Sequence, residues 1–125
     1  MRYTLLLHYP EMTPEDLGAE ALEAGQRAFQ SYAAALNAAG VLVSGEVLQS
    51  SANTTTVRTV DGSLRIQDGP FADTKEQLGG IFVIDVADLD AALEWAGKAP
   101  SVSWGSVEVR PGAVHVTDGA WQPNA

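Results

Sequence analysis

A histidine and a short acidic segment are the parts of this sequence that could do acid–base chemistry. His8 ends an apolar run near the start of the chain, and an imidazole exchanges protons near neutral pH. Asp68 and Glu76 belong to a later segment. A carboxylate beside an imidazole can orient the ring or act as its acid partner. His8, Asp68 and Glu76 are therefore the candidate catalytic residues.

The same region of sequence supplies candidates for binding a ligand without reacting with it. His8, Asp68 and Lys75 would then contact a small molecule. Glu46 and Arg58, on neighbouring predicted strands, are further candidates, although they could instead form a cross-strand ion pair. The candidate ligand-binding residues are thus His8, Glu46, Arg58, Asp68 and Lys75.

Structural roles compete with these functional ones. His8 could be a hydrogen-bonded interface residue, and the Asp68 side chain could cap backbone amides after Gly69. In that interpretation, Lys75 and Glu76 pair with neighbouring charges around the turn. Both interpretations stay open, because no spacing between these residues fixes their distance.

Several other chemistries lack the residues they need. The 125-residue chain has no cysteine, and its two histidines, His8 and His115, have no metal-ligand spacing, so no metal or other cofactor is expected. Gly79-Gly80 precedes a predicted strand instead of opening a helix, which argues against a phosphate loop. Trp95 and Trp104 flank the end of a predicted helix and are expected to be packing or interface residues.

The charge balance restricts the partners. Seven Lys and Arg against 16 Asp and Glu give a net charge of −9, which disfavours nucleic acid and anionic membranes. No stretch approaches the roughly 20 apolar residues of a membrane span, and no secretory leader is recognisable. We expect a cytoplasmic protein, in keeping with the lack of cysteine.

Hydrophobic periodicity predicts an alternation of strands and helices. Strands are predicted at 3–8, 41–48, 54–60, 64–67, 81–86 and 105–110. One long helix is predicted between an N-cap at Thr13 and Gly40, and Asp88 caps a second that ends at Pro100. Asp61-Gly62 predicts a tight hairpin. The second helix is expected to bury Leu89, Ala92, Leu93 and Ala96.

This order predicts a single α+β domain with a ferredoxin-like βαββαβ plan and an extra hairpin. The length suits one domain. Residues 1–111 would form the domain, and residues 112–125 would form a C-terminal tail.

Exposed apolar faces predict a homodimer. Two helices can cover only one face of such a sheet, yet residues 81–86 place Phe82 and Ile84 on one face and Ile81 and Val83 on the other. A large uncovered apolar face usually marks an interface. The simplest cover is the same face of a second copy. The alternative is that the tail folds back over its own sheet.

A long motif adds a family resemblance. Residues 68–80 are DGPFADTKEQLGG, followed by IFVIDVADLDAALEWAGKAP and then GSVEVRP; GVLVSGEVLQSSANTTTVR lies upstream. Together these segments resemble the DGPF-type members of the YCII-like superfamily over residues 3–111. The resemblance implies a dimeric α/β-barrel in which two ferredoxin-like sheets pack face to face, with a cleft near the interface.

The resemblance implies little about activity. Most DGPF proteins have no established activity, and many are encoded near extracytoplasmic-function sigma factors. A few YCII-like relatives are enzymes, including a dehydrochlorinase, with a suggested site of a first-helix His and an Asp in a D-P step. The matching positions here are near Ala28 and at Ala99, before Pro100. Alanine cannot transfer a proton, so that site is not carried over.

Three functions remain. The first is a homodimer that binds a small molecule in an interface cleft. The second is a lyase-type or isomerase-type enzyme that uses His8 as base with Asp68 or Glu76. The third is a protein-interaction module linked to sigma-factor regulation. The position of His8 relative to a carboxylate and a cavity discriminates between the first two and decides whether an enzyme is tenable.

Overall fold

The computed structural model describes residues 1–124, which form eight strands and three α-helices. The strands are Arg2–Tyr9 (β1), Leu42–Val47 (β2), Thr55–Val60 (β3), Ser63–Asp68 (β4), Gln77–Asp85 (β5), Ser106–Pro111 (β6), Val114–Thr117 (β7) and Ala120–Pro123 (β8). The helices are Pro14–Leu17 (α1), Ala19–Ala38 (α2) and Leu89–Gly97 (α3). Short 3₁₀ turns lie at Ser51–Asn53 and Pro100–Ser103.

Four antiparallel strands form the main sheet in the order β2-β5-β1-β6. β1 lies inside the sheet, where Leu5 is opposite Phe82 of β5 and Val109 of β6. Helices connect β1 to β2 and β5 to β6. This is the strand order of a ferredoxin-like βαββαβ unit, so the predicted α+β class and plan are confirmed. The sheet of the single chain is open and does not close into a barrel.

One face of the main sheet, the inner face, packs against α2 and α3. Tyr3, Leu5 and Leu7 alternate toward it from β1, and Phe82 and Ile84 join them from β5; all five are at most 5% exposed. The helices contribute the buried side chains Tyr32, Leu36, Ala92 and Ala96. These residues belong to one hydrophobic core, which holds both helices on the same side of the sheet.

Helix α3 packs through its alanines. Ala92 and Ala96 are buried as predicted, but Leu89 and Leu93 are 48% and 50% exposed, so the prediction is wrong for the two leucines. Each pair is spaced four residues apart, and the two pairs form neighbouring rows on the helix surface. The alanine row faces the sheet because small side chains allow the helix backbone to approach it closely.

The predicted first helix is divided at Gly18. Thr13 begins it with a capping box, in which its hydroxyl accepts a hydrogen bond from the Asp16 amide and the Asp16 carboxylate accepts one from the Thr13 amide. After one turn Gly18 adopts φ +81° and ψ 158°, and α2 begins at Ala19. A residue with positive φ cannot continue an α-helix, and glycine adopts that conformation without steric cost.

Strands β3 and β4 form a hairpin, the arm (residues 55–68), which pairs with no other strand among residues 1–124. Its turn has φ values of 51° at Asp61 and 78° at Gly62, as the predicted two-residue turn requires. One face of the arm carries apolar side chains that are 58–67% exposed, at Val57, Leu64 and Ile66. An isolated two-stranded hairpin is marginally stable in water, so contact of this face with another surface would stabilise the arm.

The C-terminal segment forms a second hairpin from β7 and β8. Its turn is Asp118-Gly119, with φ values of 51° and 76°. The Asn124 side chain ties this hairpin to the domain, because it accepts a hydrogen bond from the Arg2 amide and donates to the carbonyl oxygens of Arg2 and Gly112. Within the predicted C-terminal tail, residues 114–123 thus form a hairpin.

This hairpin does not bury its apolar side chains against the sheet. Val116 and Trp121 lie opposite each other in the β7–β8 pair and are 61% and 75% exposed. The other face of the main sheet, the outer face, carries the half-buried side chains Leu6, Ile81 and Val83. Within residues 1–124, no helix combines the length and the apolar character needed to cross a membrane.

Candidate functional site

His8 lies at the end of β1 on the outer face. It is opposite Ser106 of β6, while its neighbour Leu7 is opposite Val107 and points into the core. His8 shares the outer face with Leu6, because side chains two residues apart in a strand lie on the same face. On the β5 side the register shifts here, since Leu7 is opposite Gly80 and His8 is opposite Leu78. Gly79 is left unopposed as a β-bulge.

A carboxylate meets the imidazole. His8 Nε2 lies 2.6 Å from Glu108 Oε1, with the histidine side chain 26% exposed and the glutamate side chain 59% exposed. The two atoms are close enough for an ion pair, but His8 Nε2 makes no well-aligned hydrogen bond. His8 thus has the carboxylate neighbour that acid–base chemistry requires.

Glu108 is absent from the residues predicted from the sequence. Its apolar neighbours Val107 and Val109 alternate with it in the predicted strand 105–110, which places Glu108 on the opposite face from them. The missing information was the pairing of β6 with β1, where Glu108 is opposite Leu6, two residues from His8. Alternation gives the face of a side chain, but only the strand order gives its neighbours.

Glu76 lies at the same end of the sheet. Its carboxylate accepts a hydrogen bond of 3.0 Å from the Ser106 hydroxyl, and Ser106 is the residue opposite His8. The loop before it is braced by its own side chains. Thr74 donates a hydrogen bond to the Glu76 carbonyl oxygen, and the Gln77 amide donates to the carbonyl oxygens of Ala72 and Thr74. These bonds orient residues 74–77 toward the end of β1.

The side chains surround an open cavity of about 760 Å³, here called the cleft. Its lining is His8, Pro10, Thr74, Lys75, Glu76 and Trp104. A smaller depression of about 250 Å³ adjoins it and is lined by His8, Glu76, Ser106 and Glu108. The cleft therefore combines an imidazole, an ammonium group, one carboxylate and an indole ring, and the depression adds the carboxylate of Glu108.

Trp104 forms an aromatic wall of the cleft. Its ring lies 4.9 Å from that of Tyr9, edge-on, and 6.5 Å from that of Phe29. The predicted packing role is correct, but the ring is also 47% exposed on the cleft side. Burial, assisted by the nearby charge of Glu11, raises the pKa of Tyr9, so its hydroxyl stays protonated in neutral solution.

Two of the predicted site residues lie outside the cleft, in separate sheets. Glu46 is opposite Ile81 in the main sheet, and Arg58 is opposite Arg65 in the arm. The predicted Glu46–Arg58 cross-strand ion pair is therefore wrong, because β2 and β3 are consecutive in sequence but do not pair.

Asp68 also lies away from the cleft, at the base of the arm opposite Thr55. Its carboxylate accepts no hydrogen bond in the described part of the chain, so the predicted cap is not formed. Gly69 instead makes the turn, with φ +94°, an amide bond to the Thr54 carbonyl oxygen, and a carbonyl that accepts from the Thr56 hydroxyl. The turn thus depends on glycine and threonine and not on the aspartate.

The described residues offer no evident metal ligands. Between residues 1 and 124, no three His, Asp or Glu side chains converge closely enough to hold a metal ion. His115, the second histidine, lies on β7 opposite Gln122, away from the cleft lining. What the arrangement can supply is a proton acceptor beside a carboxylate, next to an apolar wall.

The comparisons with known proteins agree with the fold. The model of the YCII-related domain family matches residues 1–113. An uncharacterised protein of Rhizobium meliloti (strain 1021) is 48% identical over 62 residues, which are 48% of this chain and 50% of that relative. The match thus spans about half the length of this curated relative, for which no activity is described.

Proposed function

This chain belongs to the YCII-related domain family, and on that premise we propose that it is a homodimer that binds a small molecule in the cleft around His8. The observation that carries the proposal is the 2.6 Å approach of His8 to Glu108 beside a cavity of about 760 Å³. Pockets for small molecules typically measure about 300–1,000 Å³ and combine apolar walls with a few convergent polar groups.

Two unpartnered apolar surfaces favour the homodimer. The outer face presents Leu6, Ile81 and Val83, and the arm presents Val57 and Ile66. Monomeric proteins rarely leave such surfaces in contact with water. A two-fold pairing of outer faces removes the first surface from water in both copies at once.

The proposed interface would border the cleft. His8 lies two residues after Leu6 in β1, and Glu108 lies opposite Leu6 in β6. All three side chains are therefore on the outer face. A second copy packed on that face would add a wall to a cavity that is open in the single chain. Binding and dimerisation should therefore be coupled, because a ligand in the cleft would contact both copies.

Sedimentation equilibrium of three variants tests the dimer. Val83→Asp places a charge on the outer face and should give a folded monomer, while the wild type is a dimer. Phe82→Asp places the charge in the helix-covered core and should unfold the chain. Val116→Asp, the matched control on the exposed C-terminal hairpin, should stay dimeric. A monomeric wild type would refute the dimer.

A fragment screen by ¹H–¹⁵N NMR tests the cleft. Bound fragments should shift the signals of Trp104 and His8. The Glu108→Gln variant should bind the same fragments more weakly. Glu94→Gln, on the exposed surface of α3, is the matched control. Shifts that map to the C-terminal hairpin, with none at His8 or Trp104, would place the binding site elsewhere.

An acid–base enzyme is the second candidate, favoured by the same His8–Glu108 contact. A lyase or isomerase needs a base to remove a proton from carbon and an acid to return or deliver one. His8 would be the base, Glu108 would orient it, and Glu76 would be the acid. In this case a bound compound is converted over hours, which NMR detects, and His8→Asn abolishes the conversion while binding persists.

A further inference from the structure

The charges of the cleft indicate the class of its ligand, an inference that rests on the binding function proposed above. Two carboxylates, Glu76 and Glu108, flank His8 around the smaller depression. Glu76 is held in place by the Ser106 hydroxyl, which donates to it over 3.0 Å. Hydrogen-bond acceptors therefore dominate this depression beside the cleft, where a ligand that carries hydrogen-bond donors is satisfied best.

The aromatic wall suits a ligand that combines an apolar body with a positive charge. The face of an indole ring attracts a cation, and tryptophan is the most effective of the aromatic side chains in this respect. Trp104 is 47% exposed and is fixed on its other side by Tyr9 and Phe29. A ring already held in position loses little conformational entropy when a ligand packs on it.

Lys75 is the cation in the lining that opposes this preference. It is exposed and makes no ion pair within residues 1–124, so its long side chain is free to turn its ammonium group into water. The chain as a whole carries a charge of −9, which draws cations toward its surface and repels anions.

We propose that the cleft binds a small organic ammonium ion with an apolar or aromatic body. The ammonium group donates to Glu76 and Glu108, and the body packs on Trp104. The ammonium group replaces the imidazole of His8 as the partner of Glu108.

Three probes of matched shape test the class of ligand: benzylamine, benzyl alcohol and benzoate. Each is titrated into the dimeric protein at pH 7.5 while the Trp104 indole signal, assigned through Trp104→Phe, is followed by NMR. We expect benzylamine to bind at least tenfold more tightly than benzoate, with benzyl alcohol between them. Glu76→Gln should weaken benzylamine about tenfold, whereas Lys75→Gln should strengthen it about two- to fivefold by removing a like charge.

Glu94→Gln is the control for the loss of one surface carboxylate and should leave the benzylamine affinity unchanged. Benzoate binding as tightly as benzylamine, or Lys75→Gln weakening the amine, would overturn the ammonium assignment and leave the cleft as a site for another class. If none of the probes and no member of the fragment screen shifts the His8 or Trp104 signals, the binding function itself is refuted.

Discussion

The Tyr32 hydroxyl donates a hydrogen bond of 2.7 Å to the Trp95 carbonyl oxygen, which joins α2 to α3 above the sheet. Tyr32 also contacts Phe82 edge-on at 5.3 Å, so one side chain links both helices to β5. The two helices are separated by the whole of β2 to β5 in sequence. This bond is therefore a long-range clamp across the core.

Removing the clamp should cost about 1 kcal/mol of unfolding free energy. In Tyr32→Phe the ring stays, but the Trp95 carbonyl keeps only the Lys98 amide as its donor, and the hydrogen bond between the two helices is lost. Urea unfolding followed by circular dichroism measures the loss. Tyr3→Phe is the matched control, because the Tyr3 hydroxyl has only a weak 3.6 Å contact to Met1 Sδ. Equal losses in both variants would contradict the special role of Tyr32.

The same hydroxyl should make the fold sensitive to alkali. Burial raises the pKa of Tyr32 to about 12, above the value near 10 of an unfolded tyrosine. The contribution of the Tyr32 hydroxyl to the unfolding free energy is therefore complete below pH 10. It is lost as the pH rises from 10 to 12, because the tyrosine of the unfolded chain releases its proton first. Unfolding free energies at pH 8, 10 and 11 should fall more steeply in the wild type than in Tyr32→Phe. Parallel slopes would contradict this assignment.

Ser101 should be replaceable by alanine without loss of stability. Its side chain is fully buried, and its hydroxyl has no hydrogen-bond partner in the described structure. An unsatisfied buried hydroxyl is destabilising, so Ser101→Ala should leave the unfolding free energy unchanged or raise it by up to about 1 kcal/mol. The exposed Ser103→Ala is the control. A loss above about 1 kcal/mol would instead indicate a bound water that serves the hydroxyl.

Gly105 should tolerate no side chain. A Cβ there would collide with the His8 carbonyl oxygen and with Tyr9. Gly105→Ala should therefore cost about 1–3 kcal/mol and disturb the cleft, seen as broadened His8 and Trp104 signals. Gly25→Ala, in open space on α2, should instead stabilise the protein by about 0.5–1 kcal/mol. A neutral Gly105→Ala would mean that β6 is free to move away from β1.

Asn124 should hold the C-terminal hairpin without being needed for the fold. Asn124→Ala removes the hydrogen bonds to Arg2 and Gly112. Hydrogen exchange should accelerate at 114–123 while the main sheet stays protected. Gln122→Ala, without a side-chain hydrogen bond in the described structure, is the control. Truncation after residue 111 should likewise leave the main sheet folded, and its unfolding would show that the hairpin belongs to the core.

Much of the architecture was predictable because each element has a local cause. The N-cap at Thr13 and the turn at Asp61-Gly62 depend on neighbouring residues alone, and both form as predicted. The break at Gly18 was not predicted, since its cause is one backbone angle and glycine is also tolerated inside helices. The start of β5 was missed because Gly79 and Gly80 interrupt its apolar alternation.

The candidate site was only partly predictable, because it depends on pairings between distant strands. His8, Lys75 and Glu76 do meet at the cleft. Glu108 was missed because only the β1–β6 register brings it to His8. Asp68 was grouped with Glu76 on sequence proximity, yet the loop between them carries it to the base of the arm. Closeness in sequence is informative within an element and misleading across a turn.

The bulge at Gly79 accommodates one extra residue in β5 without changing which residues of the two strands meet. Leu7 is opposite Gly80 and His8 is opposite Leu78, so two consecutive residues of β1 face residues of β5 that are two positions apart. A side chain on the extra residue would collide with the Tyr9 ring, which packs against Trp104. The two strands therefore tolerate an insertion at this point because the inserted residue is the one that has no side chain.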